Sequence, residues 1–353
     1  MPTVDMSAKD PILVWGGGAI GGTIAAYWAR AGIPVLLVDV VQEHVEACRT
    51  RGLQIEGTLD NFTVVVPSVT LAELRGTYSR IVLAVKALAT EQAVDTLAPH
   101  LAAGGYVLSA QNGLNELAIA QKIGAPRTMG CFVNFGADWL EPGRILYSGR
   151  GEVVIGEIDG APRERTKAMH ELLQVFEPDA VLTDNIWGHL WSKMAFAAML
   201  FATSINNDGM DNNFADPRRF VVFDRLGREV MRVARAEGVQ PMPLVGFDPT
   251  AFMQGSPESA ARKSIEILST RRKGAVKQHS GFWRDLAVRK RKTEVDPLMG
   301  KLVEIARGHG IATPAVDTLI VLVHDIEEGR RELSCETFQV LLDVCEKQSP
   351  ATA

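Results

Sequence analysis

Gly16-Gly17-Gly18-Ala19-Ile20-Gly21 carries the spacing G-x-G-x-x-G, which lets a backbone without side chains approach a pyrophosphate. The string follows the apolar run Pro11-Ile12-Leu13-Val14-Trp15 and opens a small-residue helix that runs to Arg30. That strand–turn–helix context separates a dinucleotide turn from a glycine turn that merely packs. Gly16 then allows the tight turn, Gly18 the close approach of the phosphates, and Gly21 the close seating of the helix on the strand. Ala19 and Ile20 begin the helix whose N-terminus faces the anion. Asp39 ends the next apolar run, roughly 20 residues past the turn, where a carboxylate binds ribose hydroxyls and repels a 2′-phosphate. Neither Val40 nor Val41 supplies a cation, and the nearest arginine is Arg49. The expected cofactor is NAD, with NADP as the alternative.

A second group of residues offers acid–base chemistry. Lys193 lies within an apolar stretch, flanked by Trp187, Trp191, Met194 and Phe201. Such a lysine either snorkels its head to water or, desolvated, gives up its proton near neutral pH. Glu294 suits the first turn of a helix, and Asn112 before Gly113 is also a plain turn former. Cys48, Cys131, Cys335 and Cys345 show no metal-ligand spacing and are too sparse for a disulfide scaffold, so no metal is expected and a reducing cytoplasm is.

Short apolar runs alternating with helical patterns must position these groups. Ile33 to Val38, Arg80 to Lys86 and Tyr106 to Ala110 read as further strands, with a helix through Ala93 and Leu97 between the last two. This alternation implies parallel βαβ units in a doubly wound sheet. Gly52 to Val66 reads as a hairpin-like detour, and Arg144 to Ile158 as a strand pair around Ser148-Gly149-Arg150-Gly151. After Asp184 the pattern becomes helical, over Ile186 to Ile205, Pro217 to Glu237, Pro257 to Thr270, Thr293 to His309 and Pro314 to Glu328. The expected fold is α/β: an N-terminal Rossmann-type doubly wound domain over 10–184, then an all-helical substrate and dimerisation domain over 185–346. The cleft between two such domains is the natural substrate site.

The chain has 353 residues, 46% apolar and 22% charged, with a formal charge of −5. Two cores are within reach of that length, and nothing in the charge favours nucleic acid or an acidic membrane. The polar start, Met1 to Asp10, shows no signal peptide. The uninterrupted apolar part of the longest apolar stretch, Met194 to Thr203, is far short of the roughly 20 residues a membrane span requires. It reads as a buried helix. The tail after Gln348 is expected to fray.

Further strings occur in a characteristic order: Val85-Lys86-Ala87, Gln111-Asn112-Gly113-Leu114, Pro142-Gly143-Arg144, Trp191-Ser192-Lys193 and Thr293-Glu294-Val295-Asp296. Together they make the chain resemble the ketopantoate reductases (2-dehydropantoate 2-reductases) from Pro11 to about Glu328. The resemblance implies hydride transfer between a nicotinamide and C2 of a 2-oxo or 2-hydroxy acid, with Lys193 as general acid and Glu294 as its acidic partner. It implies Lys86 and Asn112 at the junction of cofactor and substrate, and a homodimer. Asp285 matches another acidic position, where capping or a surface role is equally open; His189 and His279 read as structural or solvated.

The chain also departs from that family. Asparagines that bind substrate one and two turns after the lysine are replaced by Ala197 and Phe201. The substrate-binding serine aligns with Gly281, beside Ser280, and a following Met-Leu-Gln becomes Phe282-Trp283-Arg284. Arg284 can grip a carboxylate in bidentate fashion. The expected substrate is therefore a 2-oxo or 2-hydroxy acid other than ketopantoate, bulkier or aromatic, met by Asn112, Ser280 and Arg284. The alternatives are a genuine 2-dehydropantoate 2-reductase of pantothenate synthesis and a non-catalytic dinucleotide sensor; retention of Lys193 and Glu294 argues against the sensor.

Overall fold

Strand residues that are apolar at every position need apolar cover on both faces, and the first half of the chain supplies it. In the computed structural model, which describes residues 10–273 and 278–347, the first compact unit ends at Ile186. Its elements are β1 (Ile12–Trp15), α1 (Ala19–Arg30), β2 (Val35–Val38), α2 (Gln42–Thr50), β3 (Leu53–Glu56), β4 (Phe62–Val64) and β5 (Ser68–Val69). Then come β6 (Tyr78–Leu83), α3 (Thr90–Leu97), β7 (Leu101–Ser109), α4 (Asn115–Ile123), β8 (Thr128–Val133) and β9 (Gly136–Glu141). β10 (Arg144–Gly149), β11 (Val153–Glu157), α5 (Glu164–Phe176) and β12 (Val181–Leu182) complete it. The first residues of the chain and the tail expected to fray lie outside the described residues.

The main sheet has the order β12-β11-β8-β7-β6-β1-β2-β5. Alternate residues of one strand enter different cores. Ile12 and Val14 pack with Ile24, Leu37, Val82 and Leu108, whereas Leu13 and Trp15 pack with Leu36, Ile81, Val94 and Ile119. β1 pairs in parallel with β2 on one side and β6 on the other, so the order reverses between β1 and β6. Ligands of open α/β sheets bind at such a switch point, beyond the strands' C-terminal ends.

The parallel, doubly wound order holds through β5, β2, β1, β6, β7 and β8, and β11 joins it antiparallel to β8. One expectation is corrected here. The strands expected over Arg144 to Ile158 exist but do not pair. β10 forms a hairpin with β9 around Pro142-Gly143, in a second sheet of order β4-β3-β10-β9, whereas β11 joins the main sheet. Between them, a Cβ on Gly151 would stand 2.0 Å from the Asn134 carbonyl oxygen, so the glycines serve a crossover between sheets, not a hairpin turn. The expected detour over Gly52 to Val66 is the antiparallel pair β3–β4.

The second unit begins at Trp187 and is helical: α6 (Ile186–Ala202), α7 (Met210–Ala215), α8 (Phe220–Ala236), α9 (Glu258–Arg272), the single turn α10 (Gly281–Trp283), α11 (Lys301–Gly308), α12 (Pro314–Glu327) and α13 (Cys335–Lys347). α6 is buried over most of its length, from Met194 through Met199 and at Phe201 and Ala202, as its apolar sequence requires. No described helix is long and apolar enough to cross a membrane. The buried Glu229 carboxylate of α8 accepts the Ala315 and Val316 N–H groups at 3.0 Å each, capping α12 from a neighbouring helix. The helix expected over Thr293 to His309 is regular only in α11; residues 296–300 form a wider π turn containing Pro297.

Candidate active site

The glycine turn sits at the switch point because its backbone is bonded on both sides. Gly16 N–H donates to the Val38 carbonyl at 2.8 Å, and Ala84 N–H to the Trp15 carbonyl at 2.9 Å. Gly16 adopts φ +102°, and a Cβ there would meet the Ala84 backbone at 3.1 Å. At Gly21 a Cβ would lie 2.1 Å from the Gly16 oxygen, so only glycine lets α1 rest on β1. At Gly18 the same atom meets nothing within 4 Å. Gly18 is also the N-cap of α1 and no side chain caps that end, which leaves the first-turn N–H groups of Ala19, Ile20 and Gly21 for an anion. Open space over an uncapped helix start fits the pyrophosphate of a dinucleotide.

Asp39 closes this arrangement. Its Oδ2 accepts Gly17 N–H at 2.6 Å and its Oδ1 accepts Val41 N–H at 2.9 Å, fixing the carboxylate beside the turn. Val40 is 77% exposed and offers no charge. Arg49 is already paired with Glu46 and Glu73, so it is held away from a 2′-phosphate role.

Lys86 and Asn112 stand on two loops that one buried network joins. Gln111 Nε2 donates to the Val85 carbonyl at 2.9 Å and to Thr90 Oγ1 at 2.8 Å. The Thr90 hydroxyl donates onward to Asn115 Oδ1 at 3.0 Å, and Asn115 Nδ2 donates to the Asn112 carbonyl at 2.6 Å. Lys86 is exposed at the end of one loop and Asn112 is half-buried on the other. The Asn112 side-chain amide forms no hydrogen bond among the described residues and so can turn to a ligand.

Glu116, next along α4, is fully buried, and neither carboxyl oxygen has a hydrogen-bond partner among the described residues. Burial pushes it up to about 8; its own N–H and the Ser109 hydroxyl, outside hydrogen-bond geometry, pull the other way. It is therefore a neutral acid at pH 7. A raised pKa means that the folded state holds a proton the unfolded state releases. The stabilising difference is complete below pH 4.5 and is lost as pH rises through about 8. In denaturant titrations Glu116 should contribute a downward slope of roughly 4–5 kcal/mol between pH 4 and pH 9, set against arginine-paired carboxylates such as Asp159 that act in the opposite sense. Glu116→Gln should flatten that slope, and an unchanged slope would remove Glu116 as its source.

In the second unit, Lys193 is half-buried on α6, between the buried Ser192 and Met194, with Nζ 5.5 Å from the Phe196 ring centroid. Glu294 is 3% exposed. Its neighbour Thr293 is anchored through N–H and hydroxyl to Glu327 Oε1, at 2.6 and 2.7 Å, which fixes the start of that segment. Ser280 Oγ accepts Trp283 N–H at 3.1 Å as the N-cap of α10. Arg284 follows that turn, half-buried. Asp285 has no surface role: it is 2% exposed and pairs with Arg289 and Arg291. His189 is buried and held below the usual histidine range by desolvation. His279 stacks on Trp283 with ring centroids 3.8 Å apart.

None of the replaced positions 197, 201 and 281 carries a polar side chain. Phe201 is fully buried and stacks on Phe282, 3.7 Å between centroids and 10° between planes, and Ala197 is 3% exposed. Gly281 is exposed, and a side chain there would meet open space. The network through Thr90, and His44 beneath the glycine turn, carry no mark in the sequence, since no spacing signals a contact between distant elements. Among the described residues no group of three or more histidine, cysteine or acidic side chains could hold a metal.

Comparison with known proteins places both units. Residues 12–160 match the family model described as ketopantoate reductase PanE/ApbA, and residues 185–327 match its C-terminal model. A 2-dehydropantoate 2-reductase of Halobacterium salinarum is 28% identical over 315 residues, covering 88% of this chain and 97% of that protein. A PanE/ApbA family ketopantoate reductase from Ralstonia eutropha superimposes with a TM-score of 0.76 at 24% identity, covering 91% of this chain and 99% of that one. D-mandelate dehydrogenase, solved with NADH and anilino(oxo)acetate, does so with a TM-score of 0.76 at 21% identity, covering 90% and 99%.

Proposed function

The chain belongs to the ketopantoate reductase family, and we propose that it is an NAD-dependent oxidoreductase acting on a 2-oxo or 2-hydroxy acid bulkier than ketopantoate. A nicotinamide cofactor, when bound, would supply hydride chemistry at C2. Lys193 donates the proton that the carbonyl oxygen takes up, and Glu294 holds substrate and sets the lysine's electrostatics. Lys86 and Asn112 orient the reacting groups, and Arg284 holds the substrate carboxylate with two parallel N–H bonds, aided by Ser280. Glycines 16, 18 and 21 with Ala19 and Ile20 hold the pyrophosphate, and Asp39 the ribose.

The observation that carries the substrate class is the Phe201–Phe282 stack. Where the resemblance implies amides for a polyhydroxylated acid, these positions hold the buried ring of Phe201, stacked on Phe282, and Ala197. Such a surface leaves substrate hydroxyls without partners and favours an apolar group. The similar structure of D-mandelate dehydrogenase, solved with an anilino oxo acid and NADH, supports both the aromatic substrate and the cofactor. Steady-state kinetics with phenylglyoxylate and ketopantoate, each with NADH and NADPH, tests the reading. The expected result is a higher kcat/KM for the aromatic acid and for NADH. Comparable turnover of ketopantoate would refute the substrate class, and a clear preference for NADPH would refute the role of Asp39.

A further inference from the structure

Beneath the glycine turn lies a histidine that the reaction above does not use. His44, in the first turn of α2, is 1% exposed. Two N–H groups from the β9–β10 hairpin point at its Nδ1: the Gly143 amide at 3.0 Å and the Trp139 indole at 3.3 Å. An atom that accepts from two donors carries no proton, so the ring is neutral with its hydrogen on Nε2. That edge faces Cys48 Sγ at 3.5 Å and Gly17, where a Cβ would lie 2.9 Å from Nε2.

Glycines flank the ring's contacts on both sides. Gly143 has φ +83°, and a Cβ there would stand 2.8 Å from Ala47 Cβ on α2. Gly22, on α1, would meet Ile145 of β10 at 2.5 Å. The second sheet is thus seated directly against the glycine turn and its helix, with His44 as the polar link. This gives the Pro142-Gly143-Arg144 string a role: its glycine amide is one of the two donors.

We propose that His44 is a positioning residue for the dinucleotide, transmitting the fixed hairpin of the second sheet to the Gly17 peptide that Asp39 holds from the other side. The proposal rests on the reading of the glycine turn as the cofactor site. Losing the Nδ1 acceptor strands the Gly143 and Trp139 donors, and the hairpin then no longer supports the turn. Protonation at Nδ1 does the same, since a second N–H would face those donors. Burial holds His44 below the usual histidine range, while the neighbouring Asp39 opposes that. Asp39 and Cys48 are the titratable groups facing the ring; the hairpin contributes Trp139 and the Gly143 amide, and the turn contributes Gly17, none of which ionises here.

Fluorescence titration of the purified full chain with NADH, without substrate, provides the test. His44→Phe keeps the ring volume but has no acceptor, and should weaken NADH binding about tenfold. His44→Asn places an oxygen near the Nδ1 position and should bind NADH within about threefold of the wild type. Wild-type affinity should hold from pH 7.5 to 6.5 and fall only below the ordinary histidine value of 6.5, and the asparagine variant should lose that dependence. Melting temperatures measured alongside separate the roles: a lower melting temperature with unchanged NADH affinity in His44→Phe would overturn the proposal. Equal pH dependence in the wild type and His44→Asn would also overturn it. A wild type that binds neither NADH nor NADPH would overturn the cofactor reading together with this one.

Discussion

Lys193→Ala should lower kcat by about 10³-fold while leaving NADH affinity within twofold, because general acid catalysis typically contributes 10²- to 10⁴-fold. The lysine is half-buried on a helix whose neighbouring residues are almost wholly buried, which restricts water around the stem and brings the ammonium near the Phe196 ring. The hydrogen bonds that hold the glycine turn, Asp39 and Thr90 are made among residues of the first unit, so the cofactor half of the chemistry should survive. Lys193→Arg sharpens the test. Arginine keeps the positive charge but does not release a proton at neutral pH, so an electrostatic role would be rescued and a proton-donating role would not. The expected outcome is that both variants are inactive and both bind NADH. An active Lys193→Ala enzyme removes the lysine from the mechanism.

The second large effect separates two glycines of one motif. Gly21→Ala forces a Cβ to within 2.1 Å of the Gly16 oxygen and 2.9 Å of Ala84 Cβ. The first of these is backbone and cannot swing aside, so the helix must lift from β1. Overpacking of this severity costs about 3 kcal/mol or more. Gly18→Ala places its methyl in open space with φ −65°, which alanine adopts without strain. Its melting temperature should match the wild type. Its NADH affinity should nonetheless fall about tenfold, because the methyl occupies the space the phosphates need. Gly18→Ala binding NADH as the wild type does would show that the open space over α1 is not the phosphate site.

Much of the first unit was legible in sequence because its signals are local. Apolar runs bounded by turns mark β1, β2, β6 and β7, and the glycine spacing needs only its flanking strand and helix. Partner choice is not local. β10 and β11 both read as strands, but whether they pair depends on the close approach of Gly151 to Asn134, set by residues far apart in sequence. The same limit hid the site's supports. Thr90 is one of many threonines, and its importance follows only from Gln111 and Asn115 converging on its hydroxyl. His44 became informative only when the Trp139 and Gly143 donors were seen at its Nδ1. In the helical unit, the substitutions at positions 197, 201 and 282 were visible, but the stacking of Phe201 on Phe282 was not. Phe201 gives its ring face to that partner, so the apolar character at these positions comes from the pair and not from a single exposed ring.

The central claim is that this chain performs chemistry on a 2-oxo acid and does not merely bind a nucleotide. Incubating the protein with NADH and a panel of aliphatic and aromatic 2-oxo acids, and following loss of reduced-nicotinamide absorbance, tests it most directly. The expected result is oxidation of NADH matched mole for mole by a 2-hydroxy acid, fastest with an aromatic member of the panel. Tight NADH binding with no 2-oxo acid reduced, under either NADH or NADPH, would contradict it.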